Sequence, residues 1–145
     1  MRLRVATDED VPLLATMNRA LIEDEGSRNP MSMEELRARM TNFLADGWTA
    51  ILVLEEDAVV GYLLYRAHPA EYDATRSEVF LRQLFVVRER RRQGIGRWAL
   101  AEAVARHFPG DADVVLDVLV GNEGAERFWR ALGFEPYAIT LRRSA

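Results

Sequence analysis

The sequence predicts a mixed α/β domain in which about four helices flank a central mixed sheet of about six strands. Three observations lead there. The 145 residues suit one hydrophobic core and are too few for a (β/α)8 barrel. No repeat, low-complexity tract or Pro/Ser-rich linker divides the chain, so residues 1–145 read as a single domain. The apolar period also switches between helical and strand spacing in the order β-α-α-β-β-β-α-β-α-β, which mixes hairpin and crossover connections.

A short apolar-polar stretch, Leu3 to Ala6, predicts the first strand. Thr7-Asp8-Glu9-Asp10 supplies a cap and acids at a helix N-terminus, Val11, Leu14, Leu21 and Ile22 share one helical face, and Gly26 with Asn29-Pro30 breaks the pattern. Ser32-x-x-Glu35 has capping-box spacing for a second helix, which carries Leu36, Met40, Phe43 and Leu44 on one face and ends at Asp46-Gly47. Thr49 to Leu54 and Val59 to Tyr65 are β-rich runs joined by Glu55-Glu56-Asp57, a hairpin. Val79 to Val87 is a further strand, followed by an arginine-rich segment, Gly94-Ile95-Gly96, and an alanine-rich helix that stops near Pro109-Gly110. Val114 to Val120 predicts another strand; Asn122 caps a helix bearing Ala125, Phe128, Trp129 and Leu132, with Gly133 at its end. Tyr137 to Leu141 predicts a closing strand.

The composition, 49% hydrophobic, 29% charged and 9% aromatic, is that of an ordinary folded domain. The absence of cysteine excludes disulfides, thiol catalysis and thiolate metal sites. His68 and His107 lie far apart without ligand-like spacing, so no metal is expected. The N-terminus turns acidic before an apolar signal region forms, and no later run approaches the roughly 18 apolar residues of a span. A cytoplasmic protein without a membrane partner is therefore expected. The net charge of −4, from 19 basic and 23 acidic residues, disfavours a nucleic-acid partner. Every basic residue is arginine: Arg88, Arg90, Arg91, Arg92 and Arg97 crowd one segment, while Glu23, Asp24 and Glu25 form an acidic knot elsewhere.

The most informative stretch is Leu84-Phe85-Val86, then Arg91-Arg92-Gln93-Gly94-Ile95-Gly96-Arg97, then a helix. Glycines let backbone approach a ligand closely, and the free N–H groups and positive dipole end of a helix favour an anion. For Gly-x-Gly alone, a plain strand-to-helix turn with solvated charges is the default reading, and the full pattern is the stronger signal. Ala99 stands where a dinucleotide fold has its third glycine, and no Gly-Lys-Ser/Thr follows, so NAD and ATP sites are disfavoured.

In this stretch the chain resembles the GCN5-related N-acetyltransferase superfamily, whose signature Arg/Gln-x-x-Gly-x-Gly/Ala follows a strand ending in Leu-x-Val. Arg91 to Gly96 and Leu84 to Val86 match it, and Asn122 with Ala125, Phe128 and Leu132-Gly133-Phe134 looks like its C-terminal motif. The resemblance implies an acyl-CoA N-acyltransferase fold with acetyl-CoA as co-substrate. Its pyrophosphate would lie on the backbone from Arg92 to Arg97, and its pantetheine arm and thioester along Leu84 to Val86 and Asn122. Asn122 also suffices as a plain helix cap.

The implied reaction is direct transfer of acetyl from the thioester to a primary amine of a small molecule or peptide, with oriented N–H groups stabilising the oxyanion. An amine of pKa near 10.4 must first lose a proton, which costs roughly 4–5 kcal/mol at neutral pH. Asp117, a lone carboxylate in an apolar strand five positions before Asn122, is the first candidate base, where related enzymes carry a glutamate. A solvent-facing acid is the alternative reading. Glu78 is the second candidate, because the usual fourth-strand position holds Phe80. Trp129 stands where many relatives have a tyrosine proposed as general acid; indole donates a hydrogen bond but no proton, and its spacing also fits a core residue. Tyr62, Tyr65 and Tyr137 are substitute acids to be considered.

The family's first two helices and the loop between them form one wall of the acceptor site, which here brings Glu23, Asp24 and Glu25 forward as partners for a cationic amine and Arg82 for a carboxylate, so that a small amino-acid-like or polyamine-like acceptor is expected. A solvated helix end is the other reading of the acids. A catalytically degenerate acetyl-CoA sensor is the rival function, and free sheet edges are compatible with a homodimer.

Overall fold

The computed structural model describes residues 1–145. In chain order the elements are β1 (Arg2–Val5), α1 (Val11–Asp24), α2 (Met33–Ala45), β2 (Thr49–Glu55), β3 (Ala58–Pro69), β4 (Ser77–Val86), α3 (Ile95–Arg106), β5 (Asp113–Val115) and α4 (Glu123–Ala131). They form one five-stranded sheet in the order β1-β2-β3-β4-β5, antiparallel except for the β4–β5 pair, which is parallel.

The expected helix starts hold because their caps close. Thr7 N–H donates to Asp10 Oδ2 at 2.8 Å across a single 3-10 turn that leads into α1. Arg4 hydrogen-bonds the same carboxylate and, as the largest influence, holds its pKa below the usual range. At α2, Glu35 N–H donates to Ser32 Oγ at 3.2 Å and Ser32 N–H to Glu35 Oε1 at 3.0 Å, the reciprocal capping box.

β2 and β3 are buried on both faces, which is why they read as unbroken apolar runs. On one face Leu14, Met17 and Met40 of α1 and α2 pack on Leu52, Leu64, Tyr62 and Phe85. On the other, Ile95, Ala99, Leu100 and Ala103 of α3 pack on Ile51, Val53, Leu63, Val79 and Leu81. Trp129 and Leu132, in and just after α4, join this second cluster from its rim.

One irregularity in β4 positions the site. Leu64 pairs with Gln83 but Tyr65 pairs with Leu81, so Arg82 is an extra, bulged residue. The bulge changes the phase of the strand. Before it Val79 and Leu81 face α3; after it Leu84 and Val86 take that side and Phe85 turns to α1 and α2. Strict alternation would have kept Val79, Leu81 and Phe85 together.

Two expected strands are corrected. The run Val114 to Val120 forms a ladder only as Asp113–Val115, paired with Glu78, Val79 and Phe80. The bulge lies immediately beyond that ladder, and the two strands part there. Tyr137 to Leu141 forms no strand, so the sheet has five strands where about six were expected. Its Tyr137, Ile139 and Leu141 are 82%, 86% and 88% exposed; apolar alternation cannot make a strand without a paired edge. No helix is long and apolar enough to cross a membrane.

Candidate active site

The separation of β4 and β5 leaves an open edge. Val87 N–H donates to Val60 O at 2.9 Å, so strand alternation turns the N–H groups of Val86 and Leu84 the opposite way, toward the side β5 has left. Arg91 Nε donates to Val86 O at 2.8 Å on that side and its guanidinium stands 5.4 Å from the Phe85 ring centroid.

At the end of this edge the backbone winds into an anion cradle. Arg92 at φ 60° and Gly94 at φ 78° are left-handed, a conformation glycine adopts freely and arginine at a cost. The first bond of the α3 ladder is Trp98 N–H to Gly94 O at 3.0 Å, which leaves the N–H groups of Gly94, Ile95, Gly96 and Arg97 free. Gly96 packs closely on α4: a Cβ there would lie 3.3 Å from Phe128 Cζ.

The arginine segment divides into two roles. Arg90 forks onto Glu55, with Nη1 at 2.6 Å from Oε1, while Arg88 and Arg91 bind Asp24 at the C-terminus of α1. Burial pushes the Asp24 carboxyl up, but hydrogen bonds and charge from Arg91 and Arg88 outweigh it and hold the net pKa below the usual range. Those three arginines fasten the loop. Arg92 and Arg97 are exposed and in no ion pair, free to meet a ligand's phosphates.

A second cavity of about 250 Å³ opens beside β4, between α1, α2 and the segment after β5. Asn18 and Glu25 line it from α1 and its end, Arg39 from α2, Phe80, Arg82 and Gln83 from β4, and Asp117 from beyond β5. Its floor is fixed by the buried Tyr62, whose hydroxyl donates to Gln83 Oε1 at 2.7 Å. Burial holds the Tyr62 hydroxyl far above its ordinary pKa. Burial in the cleft wall also raises the Glu25 carboxyl, although it retains contact with water. A turn with four free N–H groups, an open strand edge and a polar cleft thus adjoin along one strand.

The sequence profile of the acetyltransferase (GNAT) family matches residues 14–134, a span that includes both the cradle and the cleft. The chain belongs to that family. Among solved structures, a possible acetyltransferase from Clostridium difficile 630 superposes with a TM-score of 0.81 at 18% identity, covering 99% of this chain and 96% of that one. An aminoglycoside 6'-N-acetyltransferase from Acinetobacter haemolyticus gives a TM-score of 0.78 at 15% identity over 100% and 98% of the two chains. An aminoglycoside acetyltransferase from an uncultured soil metagenomic sample, in complex with sisomicin, gives 0.73 at 16% identity over 99% and 95%. No curated protein matches the chain.

In this GNAT chain the residues singled out from sequence fall into three groups. Leu84, Phe85 and Val86 lie on the open edge; Arg92, Gln93, Gly94, Ile95, Gly96 and Arg97 form the cradle; Asp117, Glu25 and Arg82 line the cleft. Asn122 caps α4, its Oδ1 accepting from Ala125 N–H at 3.3 Å. Others lie elsewhere. Asp24 is bound to the arginine loop, Glu23 is exposed outside the cleft, and Glu78 stands 3.6 Å from His68 Nε2 at the β5 end of β4. Trp129 packs edge-on between Phe128 and Phe134 with ring centroids 4.9 and 5.3 Å away, away from the cleft. Among the tyrosines, burial also raises the Tyr65 pKa, and Tyr137 is exposed.

Asn18, Arg39 and Gln83 were not singled out from sequence. Gln83 was the findable one, a polar residue inside the apolar run Val79 to Val87, the same signal that pointed to Asp117. Arg39 sits on α2 among Leu36, Met40 and Phe43 but reads as a solvated helix charge.

Proposed function

We propose that residues 1–145 act as one acetyl-CoA-dependent N-acetyltransferase domain moving acetyl directly to the primary amine of a small molecule. The observation that carries this reading is the adjacency of the cradle, the open β4 edge and the cleft along one strand. The cradle suits the pyrophosphate of acetyl-CoA: four free N–H groups converge at a positive helix end, with Arg92 and Arg97 free to add charge. Acetyl-CoA supplies the activated acyl group. Leu84 and Val86 N–H groups, pointing into the open edge, are donors for its pantetheine amide and for the carbonyl oxygen as charge develops there.

The cleft supplies the acceptor and takes its proton. Asp117 and Glu25 both line it, and Asp117 is our candidate base. Burial raises the Glu25 carboxyl toward the operating pH of a general base. No tyrosine with an easily released proton serves as acid; the CoA thiol, of pKa near 8.5, is a tolerable leaving group without one. The solved aminoglycoside acetyltransferases of this fold support a small-molecule acceptor. A cytoplasmic location is part of this proposal and is consistent with use of acetyl-CoA. The outer edges of β1 and β5 and the exposed Tyr137, Ile139 and Leu141 support a homodimer, which sedimentation velocity tests: a 16.5 kDa species refutes it.

The deciding experiment is calorimetric titration with acetyl-CoA, followed by thiol release across a panel of amines in the same preparation. Micromolar binding with amine-dependent thiol release, reduced in Asp117→Asn, is expected. Binding without turnover across the panel transfers the protein to the sensor reading, and no binding refutes the cradle assignment.

A further inference from the structure

We infer that the acceptor carries a carboxylate beside its reactive amine, and that Arg39 and Arg82 hold that carboxylate in the cleft; the acceptor is a small zwitterion of the amino-acid class. This rests on the acetyltransferase reading above.

The two guanidiniums are brought together by independent elements. α2 places Arg39 between Leu36 and Phe43 on neighbouring turns, and the β4 bulge makes Arg82 and Gln83 line the same cleft although they are adjacent in the strand. Both stack on one ring: Arg39 Cζ lies 5.3 Å and Arg82 Cζ 5.1 Å from the Phe43 centroid, and Arg82 is also 5.5 Å from that of Trp48. Neither has a carboxylate within 4.0 Å, although eight other arginines of this chain do. Burial lowers the Arg39 pKa, and the neighbouring charge of Arg82 lowers it further. Two cations that repel each other and have no carboxylate in contact, with Glu25 attracting Arg39 only from a distance, make an anion site.

A third donor completes it. Asn18 is 1% exposed and lines the cleft; its Oδ1 accepts from Arg39 Nη1 at 3.4 Å, and its Nδ2 lies near the Tyr62 hydroxyl without meeting it in hydrogen-bonding geometry, so it stays unpartnered. Such a buried donor is costly unless a ligand meets it. The acceptors of the cleft are Glu25 and Asp117. Donors and carboxylates in one cavity match a molecule with both a carboxylate and an ammonium, whereas a polycation would face two unneutralised arginines. The volume of about 250 Å³ is below that of drug-sized pockets and suits a compact acceptor. Beyond Phe80 and Arg82 the groove continues to Trp48, Arg66 and His68, which leaves room for the acceptor's side chain.

The test compares α-amino acids with their C-terminal amides, their decarboxylated amines and sisomicin, using the full chain, saturating acetyl-CoA and thiol release. The expected result is a kcat/KM at least tenfold higher for some amino acid than for its amide, with that ratio falling toward one in Arg39→Gln and Arg82→Gln and partly restored in Arg82→Lys. Urea midpoints of the variants separate lost folding from lost selectivity. Amides, amines or sisomicin used as well as or better than every amino acid overturn the inference while leaving the acetyltransferase reading intact. Should nothing in the panel release thiol, that reading fails, and the carboxylate site is decided by the side-chain Nε–H resonances of Arg39 and Arg82 at constant ionic strength. Saturable shifts with amino acids and none with amides uphold it; no shift, or equal shifts, overturn it.

Discussion

Replacing Tyr62 by Phe tests whether the floor of the cleft is held by one buried hydrogen bond. The Tyr62 hydroxyl donates to Gln83 Oε1 at 2.7 Å, and the two residues are 0% and 9% exposed. Removing the hydroxyl leaves the Gln83 acceptor poorly paired, which costs about 1–3 kcal/mol. Gln83→Met strands the phenol instead, at a similar cost of about 1–3 kcal/mol. The double variant removes both partners and should cost no more than either single change, an interaction energy of about 1–3 kcal/mol in a double-mutant cycle. Urea unfolding of the four proteins measures it, with melting shifts of roughly 2–4 °C per kcal/mol for a domain near this size. Strictly additive single costs would show that the pair is not coupled and that the floor is held by apolar packing alone.

Three further outcomes follow from the same geometry. Asp24, held below its unfolded pKa, contributes stability that is present above about pH 4 and is lost as pH falls through its folded value; the stability gap between wild type and Asp24→Asn should therefore narrow from pH 7 to pH 2, and a constant gap refutes the ion pairs. Glu25 is raised instead, so its contribution is present below about pH 4 and is lost as pH rises through its folded value. Glu25→Gln should then gain stability over wild type at pH 8 and not at pH 4, read by urea midpoints; a larger gain at pH 4 contradicts the assignment. A Cβ on Gly61 would lie 2.2 Å from the Phe85 carbonyl oxygen, a backbone atom, against 3.3 Å from a side-chain ring atom of Phe128 for Gly96. Gly61→Ala should accordingly destabilise by about 1–3 kcal/mol or more and exceed Gly96→Ala, an order that thermal melts check directly.

What could be read from the sequence was what local chemistry decides. The Ser32–Glu35 box, the apolar β2 and β3 and the Gly94–Gly96 lead into α3 all depend on neighbours a few residues away, and all appear in the structure. What could not be read depends on distant partners. Val114 to Val120 has strand composition, but a ladder needs β4 beside it, and β4 is bulged at Arg82. Tyr137 to Leu141 alternates correctly and has no partner. The acidic knot looked like one acceptor-binding feature; α1 ends inside it, so Asp24 turns to Arg91, 67 residues away, while Glu25 lines the cleft. Arg82 and Gln83 would occupy opposite faces of a regular strand, and only the register change makes both cleft residues.

That register change sets which mutations the protein can survive. Leu84 and Val86 take the α3 side because Arg82 is bulged out of the alternation and not counted in it. Deleting Arg82 would remove the bulge and leave a regular strand, with Leu81 still opposite Tyr65, Gln83 still opposite Leu64 and every side chain from Gln83 to Val86 on its present face. Substituting Arg82 disturbs none of them. Acceptor preference is therefore open to drift by point substitution at position 82, and even an in-frame loss of that one codon spares the ladder while removing a guanidinium from the cleft. Deletion scanning across β4 should record this as a local maximum in tolerance at position 82, flanked by positions whose loss shifts the register.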